Sequence, residues 1–298
     1  MVNRPLAVAI GLGADAIAGE PPMRPHPVAL LGSALQRVEA TLYRDRRVEG
    51  VVHAATGIAL GAIAGMTVRS TAAATYLATS GRALRAAATD VGVALEAGDV
   101  AGARALLPSL VGRDPEELDE ADICRAVVES VAENTVDAIV APAFWALVGG
   151  APGVVVHRVI NTMDSMIGHR DEQYGAYGWA AARLDDIAAW VPARMTAALV
   201  VACRPGAAGR VIQVVRRDAP AHPSPNSGVA EAAFAAALDV RLGGESRYAG
   251  RVDVRPVLGD GRSPTPADIA RANRLSRDVS IALAGVLAAA GIGGLVGL

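Results

Sequence analysis

Residues that could do chemistry gather in four places along the chain. The most informative is 122–137, where Arg125, Glu129, Glu133 and Asp137 recur every four residues with Asn134 beside them. That spacing puts one arginine and three carboxylates along one helical face. A solvated face with i,i+4 ion pairs has the same pattern. This face, however, runs straight into apolar 138–147, where acids need partners or a metal. Hard carboxylate oxygens suit Mg²⁺, which commonly links protein carboxylates to nucleotide phosphates. Glu129, Glu133 and Asp137 are therefore expected metal ligands.

The second cluster is Asn161-Thr162-Met163-Asp164-Ser165-Met166, continuing through His169 to Arg183, Asp185, Asp186 and Arg194. Asn161 and Asp164 are i,i+3 neighbours, and Ser165 adds a hydroxyl. Met163 and Met166 read as packing residues. Paired acids between two arginines at the lip of an apolar stretch suit metal, phosphate or both. Arg194, inside that stretch, needs an anionic partner. The third cluster is His222-Pro223-Ser224-Pro225-Asn226-Ser227-Gly228, before a helix over 229–240 that Asn226 or Ser227 would cap. A capped helix start offers N–H groups to an anion, although an ordinary connector would have the same sequence. The fourth holds Asp15, Glu20 and His26 at the end of an apolar segment, where an ionisable group is costly and usually functional.

Composition narrows the chemistry. The 298 residues carry 28 basic and 30 acidic side chains, a net charge of -2 that argues against nucleic-acid binding. No lysine occurs, so a P-loop lysine and a Schiff-base lysine are both excluded. Phosphate must be held by arginine, backbone N–H groups or metal. Two cysteines, Cys124 and Cys203, are too few for a disulfide framework or a cysteine zinc site. An apolar share of 52% excludes a disordered chain.

The elements that position these clusters follow from the apolar windows. These are 5–19, 50–68, 138–156, 187–203 and 279–298, separated by polar segments 20–49, 69–137, 157–186 and 204–278. A spanning helix needs about 20 apolar residues. The expectation is a mainly α, polytopic helical membrane protein forming a single membrane-embedded catalytic domain over 1–298. Broken or re-entrant helices and helical cytoplasmic segments belong to that expectation. Pro142 and Gly149-Gly150-Ala151-Pro152-Gly153 split the third window into a hairpin or re-entrant element. Such breaks persist at membrane depth only where protein or a polar cavity covers the backbone. Amphipathic spacing predicts a helix over 82–98 and another over 99–107, and 251–258 is the best strand candidate. Segment 204–278 carries 12 of the 28 arginines and is expected on the cytoplasmic side of the cell membrane. Ala16-Ile17-Ala18 has the look of a signal-peptide cut, but Asp15 beside it favours a retained segment.

Taken in order, these motifs resemble the adenosylcobinamide-phosphate synthase family of cobalamin biosynthesis. The resemblance runs nearly end to end. It rests on Gly19-Glu20-Pro21 with His26-Pro27-Val28, Leu110-Val111-Gly112-Arg113-Asp114, and the 129–137 and 161–166 motifs. Ala182-Arg183-Leu184-Asp185-Asp186, Pro192-Ala193-Arg194 and the 222–226 loop complete it. Glu20 stands where an aspartate is common, and His169-Arg170 where an aromatic residue and a lysine are expected. The resemblance implies an ATP- and Mg²⁺-dependent ligase that joins adenosylcobyric acid to 1-amino-2-propanol phosphate or a related aminoalcohol. It makes Glu129, Glu133, Asp137, Asp185 and Asp186 the metal pool. Arg113, Asn134, Asn161, Ser165, Arg183, Arg194, Ser224 and Asn226 become the phosphate and substrate pool. His222, His26, Glu133 and Asp164 become the catalytic pool. Its partners would be the corrinoid, the aminoalcohol phosphate, ATP and the lipid bilayer, with self-association left open. Two other classes fit the residues: a membrane phosphotransferase acting on an alcohol head group, and a non-catalytic corrinoid-handling scaffold.

Overall fold

A computed structural model describes residues 3–21, 23, 27–111, 118–169, 171–248 and 251–296. His26, Arg113 and Arg170 lie outside the described residues. Along the chain the helices are α1 (Arg4–Ala18), α2 (Pro27–Leu42), α3 (Arg47–Thr67), α4 (Thr71–Ala78), α5 (Gly81–Glu96), α6 (Val100–Leu106) and α7 (Glu120–Thr135). A π-helical turn, Val136–Val140, leads into α8 (Ala141–Ile167). There follow α9 (Trp179–Ala188), α10 (Trp190–Cys203), α11 (Ala208–Asp218), α12 (Ser227–Leu238), strands β1 (Leu242–Tyr248) and β2 (Arg251–Leu258), and α13 (Pro266–Val296). The protein is mainly α and multi-pass. Arg47–Thr67, Glu120–Ile167 and Pro266–Gly294 are long and apolar enough to cross a bilayer, and α9 with α10, bent by 41°, adds a fourth if counted as one span. At 15 residues, α1 is shorter than a span.

The chain forms two compact units. The first comprises Met1–Ser80, Asp137–Pro192 and Leu283–Leu298, and the second Gly81–Val136 and Ala193–Ala282.

In the first unit α3 packs along the second half of α8. Gly57, Gly61 and Gly65 make that approach close: a Cβ on them would meet Met163 Sδ at 2.8 Å, Val159 Cγ2 at 2.8 Å and Pro152 Cα at 2.5 Å. Small residues at such spacing let helix backbones approach in lipid. Leu35, Val159, Met163, Ile167 and Tyr177 fill the core beside them. Val48, Ile63 and Met66 on α3 remain exposed, as a lipid-facing surface requires. The break in α8 is at Gly150, whose φ of 62° and ψ of -149° only glycine adopts readily. A Cβ on Gly153 would collide with the carbonyl oxygen of Trp145. Eight residues of unbroken helix would separate the two by about 12 Å. The chain therefore doubles back at Gly150, as the glycine–proline run predicted. Pro142 has no N–H for the carbonyl four residues before it; that carbonyl, on Ala138, accepts from Ser80 N–H at 3.2 Å instead.

In the second unit α12 packs on α7 and α11 and is buried on nearly every side, including Phe234. β1 and β2 pair antiparallel with an irregularity between Leu242 and Gly244. The predicted strand over 251–258 is β2, and the predicted helices over 82–98 and 99–107 are α5 and α6, the latter capped by Asp99. The helix carrying the C-terminal apolar run begins at Pro266, earlier than its composition suggests. The cause is Asp268, buried at the start of α13, which accepts hydrogen bonds from Arg262, Thr265 and Arg271.

Candidate functional site

The acidic face of α7 is real, but each member has its own partner. Arg125 bonds Asp122 at 2.6 Å and the carbonyl of Glu245 at 2.8 Å. Glu129 is buried and accepts from the backbone N–H of Gly243 at 2.8 Å. The positive φ of Gly243, 69°, presents that N–H to the carboxylate. Arg125 and Glu129 thus anchor β1. Glu133 is exposed and accepts from Ser227 Oγ at 2.8 Å. Asn134 bonds back to Ser130, at 2.9 Å to the carbonyl and 3.1 Å to Oγ.

Asp137 lies in the π turn and belongs to the first unit. Single π turns inside helices frequently mark functional sites. Asn161 Nδ2 stands between two carboxylates, 3.3 Å from Asp137 Oδ2 and 3.4 Å from Asp185 Oδ1. Its Oδ1 accepts from Arg158 Nη1 at 3.5 Å. Two acids 48 positions apart in sequence are thus joined by an amide 24 positions from each. Asp186 pairs with the exposed Arg183 at 3.5 Å. Ser165 is exposed and donates to the carbonyl of Asn161, and His169 Nε2 is near the carbonyl of Ser165. Asp164 is half-buried. Among the described residues no group of three or more His, Cys, Asp or Glu side chains is arranged to hold a metal by protein atoms alone.

The 222–228 loop in the second unit is built differently from the expectation. Asn226 stands at the start of α12, but its side chain makes no capping hydrogen bond. Ser224 Oγ takes that role, accepting from the N–H groups of Asn226 and Ser227 at 3.3 and 3.1 Å. Asn226, 5% exposed, instead accepts from Arg194 at 2.9 Å. One partner of Arg194 is therefore an amide oxygen of this loop. His222 Nδ1 is 3.1 Å from both the N–H and the carbonyl of Ser224. Its Nε2 is buried without a hydrogen bond among the described residues, 3.8 Å from Glu231 Oε2. Burial pushes the His222 imidazole below its ordinary pKa, partly countered by the Ser224 backbone.

Sequence reasoning passed over Arg158, His157 and Glu231. All three are ionisable residues on helices, and Glu231 and His157 are nearly fully buried. Among the described residues both ring nitrogens of His157 lack a hydrogen-bond partner. Their signal was present, because a charge or imidazole beside an apolar run is costly unless used.

A profile of the CobD/CbiB protein family matches residues 8–276. The cobalamin biosynthesis protein CobD of Mycobacterium tuberculosis is 50% identical over 93% of this chain and 92% of its own length. Its namesake in Rhodobacter capsulatus is 42% identical over 85% of each chain, and that of Pelobacter propionicus 39% identical over 86% of this chain and 85% of its own. No solved structure matches. The chain belongs to the CobD/CbiB family, and it is a multi-pass membrane protein of cobalamin biosynthesis.

Proposed function

We propose that this protein is an ATP-dependent carbon–nitrogen ligase. It joins a free propionate carboxylate of adenosylcobyric acid to 1-amino-2-propanol phosphate, or a related aminoalcohol, giving adenosylcobinamide phosphate. The observation that carries the reading is the Asp137–Asn161–Asp185 arrangement in a chain of this family. Mg²⁺ is usually bound through one or two carboxylates together with substrate phosphates. A pair of hard-oxygen donors aligned by one amide fits that ion without a third protein ligand. Asp137 and Asp185 would hold it, and it would supply charge neutralisation on the nucleotide phosphates.

A carboxylate is a poor electrophile. Phosphoryl transfer from ATP to a propionate oxygen forms an acyl phosphate and releases ADP. The amine then attacks the acyl carbon, the bond to the bridging oxygen breaks, and inorganic phosphate leaves as the nitrogen loses a proton. In the second unit Arg194, held by Asn226, offers a cation for substrate phosphate. With Nδ1 of His222 engaged by Ser224, Nε2 is the nitrogen left to take a proton. The arginine-rich segment 204–278 supports an active site on the cytoplasmic face of the cell membrane.

The test is product analysis in detergent with Mg²⁺, ATP, adenosylcobyric acid and the aminoalcohol phosphate. The reading expects an amide product and one ADP per amide. A phosphodiester product without ATP cleavage would assign a phosphotransferase instead. Corrinoid binding with no turnover would assign a scaffold.

A further inference from the structure

The first unit contains a cavity of about 350 Å³ between α2, α3, α4 and α8. Its walls are aliphatic, among them Leu31, Ala64, Ala74, Leu77 and Val155, and among the described residues its one charged lining residue is Arg158. The Nε of that guanidinium is buried and has no hydrogen-bond partner among the described residues. The bond from Nη1 to Asn161 Oδ1, at 3.5 Å, is at the limit of hydrogen-bond length. Asp137 and Glu20 are the acids whose charge reaches it. A buried donor left unmet costs free energy, more so on a charged group. Arg158 also adjoins the Asp137–Asn161–Asp185 cluster through Asn161.

From the charge and the walls together we infer that this cavity binds an oxyanion, phosphate or carboxylate, carried on a short aliphatic body. Arg158 takes the oxyanion through the part of its guanidinium that lines the cavity, and the aliphatic part lies against α2, α3 and α4. Phosphate and carboxylate share this recognition, because a guanidinium fork matches both. The inference deepens the ligase reading by giving that reaction an oxyanion-binding residue next to its carboxylates. It rests on that reading only for which molecule the cell supplies.

The test uses the full chain in lipid nanodiscs, without ATP or corrinoid, so it stays separate from the ligase assay. Ethyl to hexyl phosphates, the matching carboxylates and the matching trimethylammonium ions are the probes, followed by equilibrium dialysis. Affinity for the anions should rise about fourfold per added methylene until the cavity is filled, and the cations should not bind. Whichever anion series binds tighter identifies the oxyanion. Arg158→Gln should weaken the anions by about tenfold or more, and Arg158→Lys should restore part of it. Ala64→Phe should abolish the dependence on chain length, a readout that needs no charge change. Equal binding of anions and cations, or a flat response to chain length in the unmodified protein, overturns the inference. Oxyanion binding in a protein that makes no amide would leave this site standing and remove the ligase reading alone.

Discussion

Replacing Asn161 should separate a metal-binding pair of carboxylates from a merely buried one. Asn161 Nδ2 donates to Asp137 at 3.3 Å and to Asp185 at 3.4 Å. Hydrogen bonds to charged groups contribute about 1.5–3 kcal/mol each. Both bonds here are long and the site is half-exposed, so water recovers part of the loss. Asn161→Leu, which keeps the branching but removes the donor, should therefore cost about 1–2 kcal/mol of stability. If the two acids hold Mg²⁺, losing the residue that orients them should weaken the metal by about 10–100-fold. Mn²⁺ titration followed by electron paramagnetic resonance reads metal affinity without turnover, and thermal unfolding of the same samples reads stability. Asn161→Asp gives the opposite sign in the two accounts. A metal-binding pair gains a third hard oxygen and holds Mn²⁺ at least as tightly as the unmodified protein. A metal-free pair gains only like-charge repulsion, and the variant should be less stable than Asn161→Leu. Mn²⁺ affinity unchanged in Asn161→Leu despite a lowered Tm would refute the reasoning.

Three further outcomes are expected. Burial holds the His222 pKa down, so the unfolded chain binds a proton that the folded loop does not; stability should rise with pH and be lost as pH falls through about 6.5, and His222→Gln should flatten that slope in melts between about pH 8 and pH 5. Ser224→Ala should cost about 1 kcal/mol through the lost cap, whereas Asn226→Ala keeps the cap, strips Arg194 of its 2.9 Å acceptor and should raise KM for one phosphate-bearing substrate when each is varied separately. Gly150→Ala should lower stability by about 1–3 kcal/mol, because its φ of 62° and ψ of -149° strain any side chain; an unchanged Tm would argue against the reversal of the chain there.

Much of this architecture is written locally. The break at Gly150 follows from glycines and prolines clustered in an apolar run, and α5, α6 and β2 follow from periodicity and an aspartate cap. What escapes the sequence is mostly the pairing of distant groups. Nothing near Asn161 announces that its amide joins Asp137 and Asp185, 24 residues away on either side. The α7 acids illustrate the same limit: even spacing gave them one role, but tertiary contacts gave Glu129 to the backbone of Gly243 and Glu133 to Ser227. The Asn226 cap failed for a related reason. A short polar side chain at a helix start has two uses, and the guanidinium of Arg194 claims this one while Ser224 supplies the cap. Arg158 was legible in principle. It stands between two apolar stretches, with only His157 separating it from Val156, but ending that window at residue 156 placed it among polar neighbours.

The most direct test of the ligase account is the fate of the corrinoid's carboxylate oxygen. Adenosylcobyric acid labelled with ¹⁸O in its free propionate would be turned over with ATP, Mg²⁺ and the aminoalcohol phosphate, and the released phosphate analysed by mass spectrometry. Activation through an acyl phosphate predicts one ¹⁸O atom in each inorganic phosphate, with ADP as the other nucleotide product. Label appearing in AMP, or amide formed with unlabelled phosphate, would contradict it.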